Sequence, residues 1–245
     1  MNWKLYLLNI DIVSRYMEVF LMKRSTYNRF KAYFFRFLDK DVPFRQKWAA
    51  FWRYQFMLFG LVAEKIKGVD YAMIYQEDNG KEHCGNYTMV PVKVMKRIIA
   101  DCGDVKRLGF IDVGCGKGFA IKKAHEAGFN VVGGVEYNPH LYGICIKNME
   151  RERIDTKYIK NEMAQYYQNY DKFDVFFFNN PFDAIILCDV LKVISKANSS
   201  KKIRCYFLNP DMKDEEAFSK EGFILDKRIE DSDEKYFDMD VYVNR

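Results

Sequence analysis

Phe110-Ile111-Asp112-Val113-Gly114-Cys115-Gly116-Lys117-Gly118-Phe119 decides the fold. It reads as a strand that is apolar on both sides of its acidic residue, as a central strand covered by helices on both faces would be. Three glycines at alternate positions follow, and then a helix begins. Glycine tolerates positive φ and has no side chain in the way. Such a turn can therefore bring main-chain N–H groups and a helix N-terminus against a ligand. The expectation is a nucleotide-type ligand.

Spacing narrows which one. A dinucleotide fingerprint, G-x-G-x-x-G, counted from Gly114 needs its third glycine at 119, where the chain has Phe119. A phosphate-binding loop, G-x-x-x-x-G-K-[ST], fails at both ends: Gly118 follows Gly116-Lys117, and Ile111 stands where the first glycine belongs.

Outward from the glycine turn the pattern is regular. Strands are expected over 107–113, 130–136, 156–160, 173–179 and 203–208, with helices over 117–127, 139–150 and 182–196. This alternation predicts an α/β fold with a doubly wound, mostly parallel, Rossmann-like sheet. Two more strands, 223–228 and 236–243, flank the acidic turn Glu230-Asp231-Ser232-Asp233 and predict a C-terminal antiparallel hairpin, making seven strands. Ahead of the turn, Val90-Pro91-Val92 opens a helix through Ala100.

The first 68 residues differ. Trp3, Tyr6, Leu7, Ile10, Val13, Tyr16, Met17, Phe20 and Leu21 form one apolar helical stripe. Similar spacing runs through 27–38, and through 44–66 after Pro43, so about three helices are expected there. Residues 71–87, with Asp78-Asn79-Gly80 and Gly85-Asn86, read as a loop. Two regions follow: a helical extension with its connecting loop over 1–86, and the α/β domain over 87–245. The extension has three readings: a packing layer, a substrate-docking lid, or a membrane-surface helix set.

Composition bounds the rest. Of 245 residues, 49% are hydrophobic and 17% aromatic, which argues for a large buried core. Residues 1–68 hold 13 basic against 5 acidic side chains, whereas 211–245 hold 6 against 12, so the net +5 hides a basic head and an acidic tail. The basic head leaves nucleic acid open as a partner, but a pI of about 8.7 is below the strongly basic footprint of nucleic-acid-binding domains, so it is not favoured. The six cysteines (84, 102, 115, 145, 188 and 205) form no C-x-x-C pair, and His83, His125 and His140 have no metal-ligand spacing. No metal is expected, and the cysteine usage suits a reducing, cytoplasmic compartment. No secretory signal is apparent, and the best apolar run, 56–63, is too short to span a bilayer.

The remaining pattern, Asp112-x-Gly114-x-Gly116-x-Gly118, closely resembles the first motif of class I S-adenosylmethionine-dependent methyltransferases, and the resemblance runs from about Tyr87 to the C-terminus. It implies S-adenosyl-L-methionine as cofactor, with Gly114, Cys115, Gly116 and Gly118 approaching its methionine part and Asp112 orienting it. It implies that Glu136, at the end of Val131-Val132-Gly133-Gly134-Val135, takes the ribose hydroxyls, an ionised carboxylate being able to accept from two O–H donors. Glu162 stands where the family bonds the adenine amino group, though Asp is commoner there.

Asn179-Asn180-Pro181-Phe182 resembles the turn of family members that methylate amino groups. There, Asn179 would accept hydrogen bonds from a target amine, with Asn180, Pro181 and Phe182 shaping the pocket. Tyr87 and Asp183 are weaker candidates for substrate contact. The same turn also serves as a plain strand-to-helix connection, and bacterial methyltransferases of unassigned substrate share it, so nitrogen and oxygen acceptors both stay open. The resemblance thus implies transfer to a nitrogen of a small molecule, glycan or protein. The alternatives are an oxygen methyltransferase acting on a glycan or small molecule, for which no convincing general base stands out, and a non-catalytic binding protein of the same fold.

Overall fold

The computed structural model describes residues 60, 62–72, 87–232 and 235–245. The chain divides into two compact units, Met1–Glu77 and Asp78–Arg245. In the first, a helix over 62–67 ends at Gly68, and the Glu64 carboxylate accepts from the Tyr71 and Ala72 N–H groups, both at 3.1 Å. That helix is the end of the one expected over 44–66. The two helices expected before it, Trp3, Trp48 and Trp52, and the turns at 78–80 and 85–86 lie outside the described residues.

The second unit is a seven-stranded sheet in the order β3-β2-β1-β4-β5-β7-β6. Helix α1 (Val92–Cys102) leads through a 3₁₀ turn into β1 (Gly109–Val113). Then come α2 (Phe119–Ala127), β2 (Val131–Val135), α3 (Pro139–Glu152), β3 (Ile159–Lys160), β4 (Val175–Phe178), α4 (Ala184–Ala197) and β5 (Arg204–Leu208). The chain closes with α5 (Met212–Lys220), β6 (Phe223–Ile229) and β7 (Met239–Asn244). Strands β1 to β5 pair in parallel, and β7 runs antiparallel between β5 and β6. The expected hairpin is therefore present, with its second strand inserted into the sheet.

This order reverses at β1. The chain steps outward through β2 and β3, then returns to place β4 on the other side of β1. The carboxyl ends of β1 and β4 thus form a topological switch point, where open α/β sheets bind ligands. Both motifs singled out in the sequence sit there.

The core explains the aromatic content. All five residues of β1 and all four of β4, Val175-Phe176-Phe177-Phe178, are buried. Phe178, Phe207, Phe218 and Tyr242 pack together, the last two stacked with ring centroids 3.9 Å apart. Each such ring pair contributes about 0.5–1.5 kcal/mol beyond its buried area. The fused aromatic layer leaves β4 and its following turn little freedom to shift.

Among the described α-helices and strands of this unit, α5 is the one that the sequence reading left unassigned. Its capping box, in which Asp211 accepts from the Lys213 and Asp214 N–H groups while Asp214 accepts from the Asp211 N–H, starts it directly after Pro210.

Candidate functional site

Gly114, Gly116 and Gly118 all have positive φ, at 85°, 52° and 83°. The N–H groups of Gly114 and Cys115 both donate to the Val135 carbonyl, at 2.9 and 3.0 Å, so the turn wraps over the end of β2. All three are required by more than φ: a β-carbon on Gly118 would lie 2.6 Å from Sγ of Cys145. A β-carbon on Gly114 would lie 2.4 Å from Cβ of Pro181, and one on Gly116 would lie 2.4 Å from the Tyr87 ring. The glycine turn is thus packed directly against two other sequence-predicted residues, distant in the chain.

Two carboxyl groups flank the turn. Glu136 Oε2 accepts from the Gly116 N–H at 2.8 Å and Oε1 from the Asn138 N–H at 2.7 Å, both buried bonds. Asn138 also caps α3, accepting from His140 and Leu141, with Pro139 at the first helical position. The carboxylate is thereby fixed by the backbone of both neighbouring turns.

Asp112 is only 4% exposed, and its Oδ1 is sealed from solvent with no hydrogen-bond partner. Burial, and secondarily the negative charge of Glu136, pushes its carboxyl well above the usual carboxylate range. A buried acceptor left open is costly, and a donor or cation placed between the two acids would relieve the cost.

Cys115 is buried, and its thiol packs under the turn against Gly134 with the free Cys145 thiol as a neighbour. The neighbouring Cys145 thiol and burial push the Cys115 thiol well above its ordinary value. Its backbone, rather than its side chain, belongs to the turn surface. Glu162 is half-buried beside Tyr167 and Tyr170, whose hydroxyls donate to the Tyr158 and Ala164 carbonyls. Between Glu136 and Glu162, the Asn161 amide donates to the Glu136 and Tyr137 carbonyls at 2.8 and 3.1 Å. Tyr137 itself is 42% exposed.

Across the switch point, Asn179 is half-buried and its Nδ2 donates to the Thr88 carbonyl at 3.0 Å. Among the described residues nothing occupies Oδ1, which is left to accept. Asn180 takes φ 46° and is exposed, an arrangement that asparagine tolerates. Pro181 packs on Gly114, and Phe182 packs against the aromatic core. Asp183 caps α4, accepting from Ile185 and Ile186 at 3.2 and 3.3 Å. Tyr87 covers Gly116, with the Lys117 ammonium 5.3 Å from its ring centroid.

The structure thus gathers Asp112, the three glycines, Glu136, Tyr87, Asn179 and Pro181 at one edge of the sheet. Sequence reading missed Thr88, Asn138 and Asn161. Asn138-Pro139 carried a legible helix-start signal, whereas Thr88 acts through its backbone and Asn161 through a contact across two strands. Among the described residues no three His, Cys, Asp or Glu side chains gather as a metal site, and no helix is long and apolar enough to cross a membrane.

The sequence matches no protein-family model, and no curated protein matches it. Solved structures do. The ribosomal protein L11 methylase of Lactobacillus delbrueckii subsp. bulgaricus superposes with a TM-score of 0.51 at 18% identity, over 69% of this chain and 91% of that one. A Pyrococcus horikoshii OT3 protein, PH0226, gives 0.52 at 17% identity over 63% and 89%. The mitomycin 7-O-methyltransferase MmcR gives 0.50 at 12% identity, over 62% of this chain and 53% of its own. At these identities the likeness establishes architecture, and with the sheet order and glycine turn it leads to one conclusion: the chain has the fold of class I S-adenosylmethionine-dependent methyltransferases.

Proposed function

We propose that the protein is an S-adenosylmethionine-dependent methyltransferase acting on a nitrogen. The observation that carries the reading is the unpartnered Oδ1 of buried Asp112, beside Glu136 and under a glycine turn. The pair of acids suits a ligand with a cationic end and a ribose. Asp112 would meet the α-ammonium, Glu136 the ribose hydroxyls, and Gly114, Cys115, Gly116 and Gly118 would present backbone without obstruction. Glu162 would reach the adenine amino group, and exposed Tyr137, next to Glu136, offers a ring face for the base. When bound, S-adenosylmethionine supplies an electrophilic methyl group on a sulfonium.

The chain's own part is then positioning. Methyl transfer is an in-line displacement, and alignment alone can supply about 7–11 kcal/mol of barrier lowering. Asn179 Oδ1 would accept from a target amine and aim its lone pair at the methyl group, with Asn180, Pro181 and Phe182 shaping the approach. Transfer to oxygen needs a general base. The turn supports that reading less, because residues 179–182 carry no ionisable side chain and Asp183 is engaged as a helix cap. Acceptors of the proposed type include small molecules, glycans and protein amines. The five described cysteines are all free thiols, which suits a reducing, cytoplasmic setting.

Titration calorimetry with S-adenosylmethionine tests the reading. The expected result is binding that weakens at least about tenfold in Glu136→Ala, the cost of about one charge-assisted hydrogen bond. No binding by the wild-type chain, or equal binding by the variant, would sink the assignment. Nitrogen transfer is checked by turnover on candidate amines and hydroxyls, where Asn179→Ala is expected to lower kcat on the true amine about a hundredfold.

A further inference from the structure

Tyr87 and Thr88, adjacent in the chain, touch both halves of the site. The Tyr87 ring occupies the space beside Gly116, and the Thr88 carbonyl accepts from Asn179 Nδ2 at 3.0 Å. The ring is further loaded by the ammonium of Lys117, a residue only 2% exposed whose backbone carbonyl accepts from Asn148 Nδ2 at 2.9 Å. Gly116 in turn donates to Glu136 at 2.8 Å. A continuous path therefore runs Glu136–Gly116–Tyr87–Thr88–Asn179, from the acid proposed for the ribose to the amide proposed for the acceptor.

Resting on the methyltransferase reading above, we propose that Tyr87 and Thr88 form a strap that positions the cofactor turn and the acceptor amide together. A single peptide unit joins the ring on Gly116 to the carbonyl on Asn179, so neither contact can shift without disturbing the other. The Thr88 carbonyl dictates the orientation of the Asn179 amide: the nitrogen donates to it, and the oxygen is left for the acceptor. The same bond accounts for Asn rather than Asp at 179. A carboxylate has no proton to donate to Thr88 and would set its negative charge against the partial negative charge of the carbonyl oxygen. Tyr87 and Thr88 are positioning residues. By reciprocity, whatever steadies the Gly116 end steadies Asn179 by the same free energy.

The test is a double-mutant cycle in the full-length chain, read as S-adenosylmethionine affinity by calorimetry, so that no acceptor is needed. Tyr87→Ala is expected to weaken binding about tenfold, in the usual range of coupling between sites. Asn179→Ala, outside the cofactor turn, is expected to weaken it by a similar factor. The double variant should fall within about threefold of Tyr87→Ala, because both remove the same strap. Tyr87→Phe, which keeps the ring, should restore affinity. Additive losses of about a hundredfold, an Asn179→Ala affinity equal to wild type, or failure of Tyr87→Phe to rescue would each overturn the strap. Should Tyr87→Ala not fold, Tyr87→Leu takes its place in the cycle. If the wild-type chain binds no S-adenosylmethionine, the cofactor reading falls. The strap is then read from exchange of the Asn179 side-chain amide protons by NMR. Exchange faster in Tyr87→Ala than in wild type supports it, and equal exchange overturns it.

Discussion

Asp112, beside Glu136, sets opposing demands on stability and binding. Burial raises the Asp112 carboxyl well above its ordinary range, so the folded chain holds that proton more tightly than the unfolded chain does. The group's contribution to stability is complete below the unfolded carboxyl value of about 3.9 and is lost as pH rises through the folded value. Asp112→Asn cannot ionise and escapes that loss. Urea midpoints taken from about pH 4 to 9 should therefore show the variant gaining on wild type as pH rises, whereas a pH-independent difference would refute the burial argument. The same variant should bind S-adenosylmethionine more weakly, a trade of stability for function common at ligand sites. These two acids were legible in the sequence because each ends an apolar strand at a glycine turn or a helix start. Thr88 and Asn161 were not. The first acts through a carbonyl that every residue type possesses, and the second pairs with a backbone 25 residues away, which leaves no periodic trace.

At the scale of elements, the closing strands are tied by an ion pair with one buried and one part-exposed partner. Asp240 on β7 is fully buried and accepts from Arg228 Nε and Nη2 at 2.6 and 2.7 Å, while Arg228 Nη2 also reaches Glu215 on α5 at 3.0 Å. These bonds to Asp240 push the Arg228 guanidinium above its ordinary value. Removing one partner of a buried pair typically costs about 3–5 kcal/mol. Arg228 is 44% exposed and Tyr242 still donates to Asp240, so a smaller loss of about 2 kcal/mol is expected for Arg228→Ala by urea denaturation. A loss below about 0.5 kcal/mol would mean that solvent replaces the arginine. Element type was readable wherever apolar periodicity was strong, as in β1, β4 and α4. The ends moved for local reasons: α2 starts at Phe119 because Gly118 is held at φ 83°, and β3 keeps only Ile159–Lys160 of the expected 156–160. Helix α5 escaped notice because its first turn, Met212-Lys213-Asp214-Glu215, is mostly charged and shows no stripe.

For the molecule as a whole, the reversal of strand order at β1 explains why residues so far apart in sequence meet. Gly114 and Pro181 sit at the ends of adjacent parallel strands, and alternation of strands and helices was enough to anticipate that sheet. Which acceptor the edge serves is another matter, since a shared fold hosts unrelated substrates. What the fold does dictate is where binding energy is felt. A ligand that bridges β1, β2 and the turns after them stabilises only the folded chain, by RT ln(1 + [L]/Kd), or about 2.7 kcal/mol at a hundred times Kd. For a unit spanning Asp78–Arg245 that corresponds to a rise in Tm of roughly 5–10 °C. Scanning calorimetry should show this rise with S-adenosylmethionine for the wild-type chain. At the same ligand concentration the shift should shrink by several degrees in Glu136→Ala, which has lost a tenfold share of affinity. Replacing Ile224 or Leu225 on the outer strand β6, each 47% exposed and remote from the carboxyl ends of β1 and β4, should leave the shift intact. Equal shifts in wild type and Glu136→Ala would place the ligand elsewhere on the protein and detach the glycine turn from binding.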